Sequence, residues 1–276
     1  MNFTCAFWAA SHIPFFLSFL FELRIGDRDP DFFFELWNHS PFRVNIALTA
    51  PSGETTQIIH PRFNECRTFD FIFESTIIYV NNFVLEEETG AQLIIVRFTQ
   101  AMKGIWNIRI VNIDLQPSVF DAWLPSGTII SGETYFLEAT PDITVTSPGN
   151  TQNPLTITAY NQYNDSIVIN SSRGFSVSDV IVPDLAAPGY QVTCPLPGNR
   201  YGNATGTGAA AAHASGILAM VMEWAVIRGN YTTITGRDVS RLLIRGASRS
   251  SSISYPNTVW GYRRINILGL FNRLRL

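Results

Sequence analysis

Two residues in the stretch TGTGAAAAHASG, Thr205 to Gly216, are of types that carry out nucleophilic chemistry: His213 and Ser215. An imidazole activates a hydroxyl only within hydrogen-bond reach. On a helix, residues two apart do not share a face, so a helix here would part the pair. The glycines and alanines around them let a backbone approach something closely, which suits either the frame of an active site or a tightly packed core helix. The N-terminus of such a helix would offer unpaired N–H groups, a place to hold a nucleophile or an oxyanion. Other titratable groups are scattered. Asp27 and Asp29 stand in IGDRDPD, and His12, His39 and His60 stand alone. His39, His60 and the acidic run Glu86 to Glu88 read as turn or surface residues rather than metal ligands. Cys5, Cys66 and Cys194 are odd in number and widely spaced, so buried free thiols are expected and neither a disulfide framework nor a zinc site.

The elements that must position these residues fall into two regions. With 276 residues, 46% hydrophobic and 15% charged, the chain can bury a sizeable core as one large domain or two ordinary ones. A net charge of -3 without a Lys/Arg cluster excludes a nucleic-acid footprint. Residues 1–25 form an atypical apolar segment. Pro14 interrupts it and Glu22 closes it, and the apolar run is too short to span a bilayer. No basic residue precedes Arg24, so a secretory signal is not convincing. Residues 26–140 then carry short runs rich in β-branched and aromatic residues: FFFELW, RVNIALTA, TFDFIF, TIIYV, QLIIVRF, WNIRIVNI and VFDAWL. Turns such as PSGE and EEETGA separate them, which predicts an antiparallel β-sandwich or jelly roll. Trp37, Trp106 and Trp123 lie in these runs and are expected in the core rather than on a carbohydrate-binding face.

Over 141–276 the pattern becomes α/β. Ile143 to Thr146 and Pro154 to Tyr160 read as buried strands, and a short strand is expected before PGYQV. Ala209 to Val226 has helical length, a second helix is expected over Gly236 to Ile244, and WGYRRINIL reads as a closing strand.

The order of SSRG (171–174), PDLAAPG (183–189), LPGNRYG (196–202) and TGTGAAAAHASG resembles the C-terminal half of subtilisin-like serine proteases, peptidase family S8. The sandwich-like region in front and the ending IRGASR…YPNTVWGY are similar to the clostridial subtilases that include the spore-germination proteases. The resemblance implies a parallel sheet with flanking helices after a jelly-roll insertion. It sets Gly206 and Thr207 on the family's G-T and Gly208 on the position of the nucleophilic serine. A glycine has no oxygen with which to attack a carbonyl. The family's Asp and His motifs, D-T/S-G and H-G-T-H, are absent, and its oxyanion Asn is unmatched, since Asn199 and Asn203 belong to a different segment. His213 matches a family histidine outside the triad, so a packing role is expected. Proteolysis is the family's activity, and this chain is expected to lack it. The alternatives are a pseudoprotease regulator, a binding remnant, or the C-terminal part of a longer active subtilase. The partners implied are a peptide or protein substrate, another subtilase chain or the missing N-terminal half. Neither nucleic acid, membrane nor cofactor is implied. The missing half would leave a sheet edge and apolar surface exposed.

Overall fold

A computed structural model describes residues 3–9, 18–63, 65–112, 118–125, 129–151, 153–176 and 180–274. The chain divides into two compact units, Met1–Pro141 and Asp142–Leu276.

The first unit is built from ten strands: β1 (Phe3–Ala9), β2 (Ser18–Ile25), β3 (Phe32–Asn38), β4 (Asn45–Thr49), β5 (Glu65–Phe71), β6 (Thr76–Phe83), β7 (Gln92–Thr99), β8 (Gly104–Val111), β9 (Phe120–Pro125) and β10 (Tyr135–Phe136). They form two antiparallel sheets, in the orders β1-β9-β3-β7-β6-β5 and β10-β2-β8-β4. The apolar opening segment therefore contributes β1 and β2 to these sheets. Period-two alternation decides which side chains go inward. On β3, Phe32, Phe34 and Leu36 are buried while Phe33, Glu35 and Trp37 are half-exposed. Rings from the two sheets meet in one core: Phe34 with Phe136 at 6.1 Å, Phe98 with Trp106 at 5.2 Å and Phe71 with Trp106 at 5.0 Å, all edge-to-face. Such pairs add to the burial free energy of the rings themselves. Trp106 is fully buried and its indole N–H donates to the Met102 carbonyl at 3.0 Å. Trp37 and Trp123 are only half-buried, because they point to the opposite face of their sheet. The PSGE and EEETGA turns are present, each with a glycine at positive φ, Gly53 and Gly90.

Two buried polar side chains of this unit, Gln92 and Asp29, are held by several hydrogen bonds. Gln92 accepts the Val44 N–H at 2.9 Å and donates to the Val44 carbonyl at 2.9 Å. Asp29 is buried, which alone would raise its pKa, but hydrogen bonds from Ser131 and Thr134 outweigh this and hold it below its ordinary value.

The second unit comprises β11 (Ile157–Asn161), β12 (Ser166–Ile167), β13 (Leu185–Pro188), the hairpin β14 (Val192–Leu196) and β15 (Arg200–Ala204), and helices α1 (Thr207–Met222), α2 (Gly236–Gly246) and α3 (Ile267–Leu274). α1 runs on into a π-helical turn, Glu223–Ile227. The expected parallel sheet is represented by one strand pair, β11 with β13, in register Ile157 to Leu185; the other named pairings among the described residues are antiparallel. α1 packs on β11 and β13 through Ala210, Ala214 and Val221. α2 crosses α3 where Gly246 and Gly269 leave no room for a Cβ: at Gly246 it would stand 2.6 Å from the Leu270 backbone nitrogen. α2 is closed by a capping box, Thr235 with Asp238, and those bonds hold the Asp238 carboxyl below its usual range.

Two expected strands are not formed. Residues 143–146 are irregular: Ile143 has φ 56, outside the extended region, and Thr144 exchanges hydrogen bonds with Arg173 without forming a strand ladder. The segment WGYRRINIL makes only isolated bridges, Arg264 with Ala186 and with Ser248 and Gly261 with Asn257. The Asn266 side chain then accepts the Gly269 N–H at 3.0 Å and starts α3, which ends the extended run.

Candidate functional site

The candidate site lies where PDLAAPG, the β14–β15 hairpin and the start of α1 converge. β13 is buried from Leu185 to Ala187, and Gly189 follows its last residue, Pro188. The Gly189 N–H donates to the Tyr160 carbonyl at 2.9 Å, and its own carbonyl accepts the Gly206 N–H at 2.8 Å. A Cβ at Gly189 would stand 2.6 Å from the Ala159 Cβ and 2.8 Å from the Gly206 oxygen. Only glycine lets the sheet edge and the helix start approach this closely. Gly206 has φ 137, a conformation L side chains rarely adopt, and it is the N-cap of α1 without a side-chain cap. The Thr205 hydroxyl accepts the Gln191 N–H at 2.9 Å and ties the turn to the chain after β13.

Ser171, of SSRG, is buried and completes the other side of β11. Its hydroxyl donates to the Ala159 carbonyl at 3.1 Å and accepts the Ala159 N–H at 3.3 Å, standing in for a neighbouring strand. Arg263 is buried with its guanidinium on Asp165 and on the Tyr255 hydroxyl, 2.6 Å each, and over the Trp260 ring at 5.1 Å. Arg264 reaches the other Asp165 oxygen at 3.1 Å. The segment YPNTVWGYRR is thereby bound to the β11–β12 hairpin.

Gly208 is the second residue of α1 and is exposed. No heavy atom lies within 4 Å of where its Cβ would stand, and its φ is not in the left-handed region. Neither space nor backbone therefore demands glycine there. His213 and Ser215 both lie within α1 and both are exposed. The Ser215 hydroxyl donates to the Ala211 carbonyl at 2.9 Å, one turn back. The expected packing role of His213 is corrected: its position on α1 faces away from β11 and β13. At the first turn of α1 the chain thus offers Thr207, small residues and a helix N-terminus, with glycine at 208.

The remaining acidic and histidine candidates among the described residues belong to the first unit. Asp27 pairs with Lys103 at 3.0 Å and Asp29 is committed to Ser131 and Thr134, all within the first unit. His60 bonds the Asn45 side chain at 3.0 Å, and Glu86 accepts from Thr89 and Glu88 in a surface turn. His39 is not a plain surface residue: its Nε2 meets the buried Asp121 carboxylate at 2.7 Å. No spacing signal announces that pair, since its members are 82 residues apart. His12 lies outside the described residues. Among the described residues no group of three His, Cys, Asp or Glu could hold a metal ion. The expectation of buried thiols is corrected as well: Cys66 is exposed on the edge strand β5, and Cys194 is half-exposed on β14.

The subtilase family model matches residues 133–262. The structure of the Clostridium perfringens CspB protease aligns with a TM-score of 0.84 at 23% identity, covering 94% of this chain and 56% of that one. The chain therefore spans just over half the length of that protease. The prenylagaramide maturation protease PagA aligns at 18% identity and TM-score 0.42, over 49% of this chain and 47% of its own. The self-cleaved protease domain of PatA aligns at 22% and 0.41, over 49% and 46%. No curated protein matches the chain. Over residues 133–262, just under half of its length, this chain therefore matches the subtilase family.

Proposed function

We propose that this chain is a non-hydrolytic subtilase-type module that acts by binding. Proteolysis is the activity of the family. The observation that carries the reading is Gly208 at the second position of α1, where the family resemblance sets the serine nucleophile. Acyl transfer by a triad needs a hydroxyl, an imidazole to take its proton and a carboxylate to orient that imidazole. In subtilisin, loss of the nucleophile alone costs on the order of a million-fold in kcat. Ser215 and His213, the serine and histidine near the start of α1 in sequence, are two residues apart on that helix, and the Ser215 hydroxyl is spent on the Ala211 carbonyl. The preserved Gly189–Gly206 contact and the open space at Gly208 support a retained frame from which the reacting group is missing.

The test is hydrolysis of casein and of a mixed peptide library by the purified chain and by Gly208→Ser. Neither protein is expected to raise the rate above the uncatalysed background, because the substitution restores the hydroxyl without its base. Turnover by the natural chain, abolished by a serine-directed inhibitor, would overturn the reading.

A further inference from the structure

The six-stranded sheet of the first unit ends on β5, whose outer edge has no named strand beside it among the described residues. Such an edge carries backbone N–H and C=O groups ready to pair with another chain. Proteins commonly guard an edge with charge, and β5 carries Glu65, Arg67 and Asp70. Here the charges also specify a partner. From Arg62 to Asp70 the chain reads RFNECRTFD, with Cys66 at its centre. When a second β5 lies antiparallel with Cys66 opposite Cys66, Glu65 of each copy falls opposite Arg67 of the other. Counting outward, Phe63 falls opposite Phe69 and Arg62 opposite Asp70. Each of the four charges in the segment then meets its opposite sign, and the aromatic rings meet each other. Opposite charges and aromatic pairs directly across a ladder stabilise it, and like charges there destabilise it. The neighbouring symmetric registers are of the second kind: centred on Glu65 the ladder sets Glu65 against Glu65, and centred on Arg67 it sets Arg67 against Arg67. The residues therefore select one register of self-pairing.

The side chains are placed for this exchange. Glu65 is held loosely within its own chain, with Arg62 at 3.7 Å and Arg67 at 3.9 Å, and its Oε2 is buried without a hydrogen bond. Asp70 is exposed and has no ion pair among the described residues. The Arg62 side chain is 73% exposed and Phe63 is 70% exposed. Phe69, Asp70 and Phe71 line a groove together with Glu54, Thr55 and Gln57. It presents two carboxylates and an aromatic wall where this register delivers Arg62 and Phe63 of the second copy.

We propose that β5 is a self-association edge: two copies of this chain pair antiparallel through β5 about Cys66 and join their six-stranded sheets into one. The proposal concerns the first unit and does not depend on whether the chain hydrolyses peptides. Directly opposed residues of an antiparallel pair have Cα atoms about 4.5–5.5 Å apart, which brings the two Cys66 thiols within reach of a short bismaleimide.

The test is sedimentation equilibrium of the full chain in reducing buffer, for the natural protein, for Glu65→Arg, for Arg67→Glu and for the two substitutions together. The natural chain is expected at twice the mass of one chain. Each single substitution sets like charges opposite each other and is expected to halve that mass. The double substitution restores opposite signs and is expected to restore the dimer, which separates lost pairing from lost folding. Bismaleimide treatment followed by peptide mass mapping is expected to give a Cys66–Cys66 link in the natural and double-substituted chains and not in the single ones. A monomeric natural chain, a dimer without that link, a dimer indifferent to the single substitutions, or a double substitution that stays monomeric would each overturn the proposal.

Discussion

The two units close their cores in different ways. In the first, both sheets turn their apolar faces toward each other, and Phe34, Phe98, Trp106, Phe120 and Phe136 are buried to 2% exposure or less. In the second, α1 covers a sheet with its inner side and leaves its outer side in water. Its cores are smaller, built on Leu185, Val221, Leu243 and Leu270 in one place and on Ala159, Ala187 and Ala210 in another. Two apolar layers that face each other need no third, whereas a helix that is apolar all round needs cover on both sides. The first unit encloses its core between its two sheets, and the second leaves the outer side of α1 exposed.

Substitutions break that comparison most sharply in the first unit. Trp106→Ala is expected to cost about 3–5 kcal/mol from the cavity, lowering the denaturation midpoint of the sandwich in a urea titration followed by near-UV circular dichroism. Leu243→Ala, on the buried face of α2, is expected to cost about 2–4 kcal/mol and to raise hydrogen exchange in the second unit only. Equal acceleration in both units would show that they unfold as one.

A pair of carboxylates sharpens the contrast through pH. Asp29 titrates below its ordinary value of 3.8 in the folded protein, so its contribution is present above that pH and is lost as pH falls through the folded value. Asp184 is shifted the other way: burial raises it, only partly offset by the Thr156 N–H that it accepts at 2.7 Å. The native state keeps that proton longer than the unfolded one, so stability falls as pH rises from 3.8 through the folded value. Asp29→Asn is expected to weaken the first unit at pH 7 and hardly at pH 3. Asp184→Asn is expected to strengthen the second unit at pH 7 and not at pH 3. Urea midpoints at the two pH values check both signs.

The smallest effect is expected on the outer face of α1. Ala212→Ser leaves helix and core intact and should shift the stability of the isolated chain by no more than about 0.5 kcal/mol, measured by the same titration. A larger loss would mean that this face already has a neighbour within the chain.

Much of this was legible in the residues. Alternation in FFFELW and TIIYV assigned β3 and β6, because one buried face imposes a period of two. The Gly/Ala run and the apolar stretch after it assigned α1, and the order of four short motifs indicated the family portion. Other features depend on contacts distant in sequence. Residues 143–146 are apolar enough for a strand, but Ile143 adopts a positive φ and no ladder forms. WGYRRINIL alternates weakly, yet Asn266 caps a helix in its midst. His39 looked like a turn residue until Asp121 was brought to it by the register of β3 with β9. His213 was expected to pack, and faces water because the sheet lies under the other side of its helix. At the candidate site the glycines differ in kind: Gly189 and Gly206 are required by close approach and by φ, whereas Gly208 is required by neither.

The most direct test of the central claim is the intact mass of the purified natural chain and of Gly208→Ser after prolonged incubation with a fluorophosphonate, which reacts with activated serines. The account expects both masses to be unchanged, since Gly208 offers no oxygen and a serine restored there has no base to activate it. A stoichiometric adduct on the natural chain would contradict it, and mapping the modified residue would locate the nucleophile that the account says is missing.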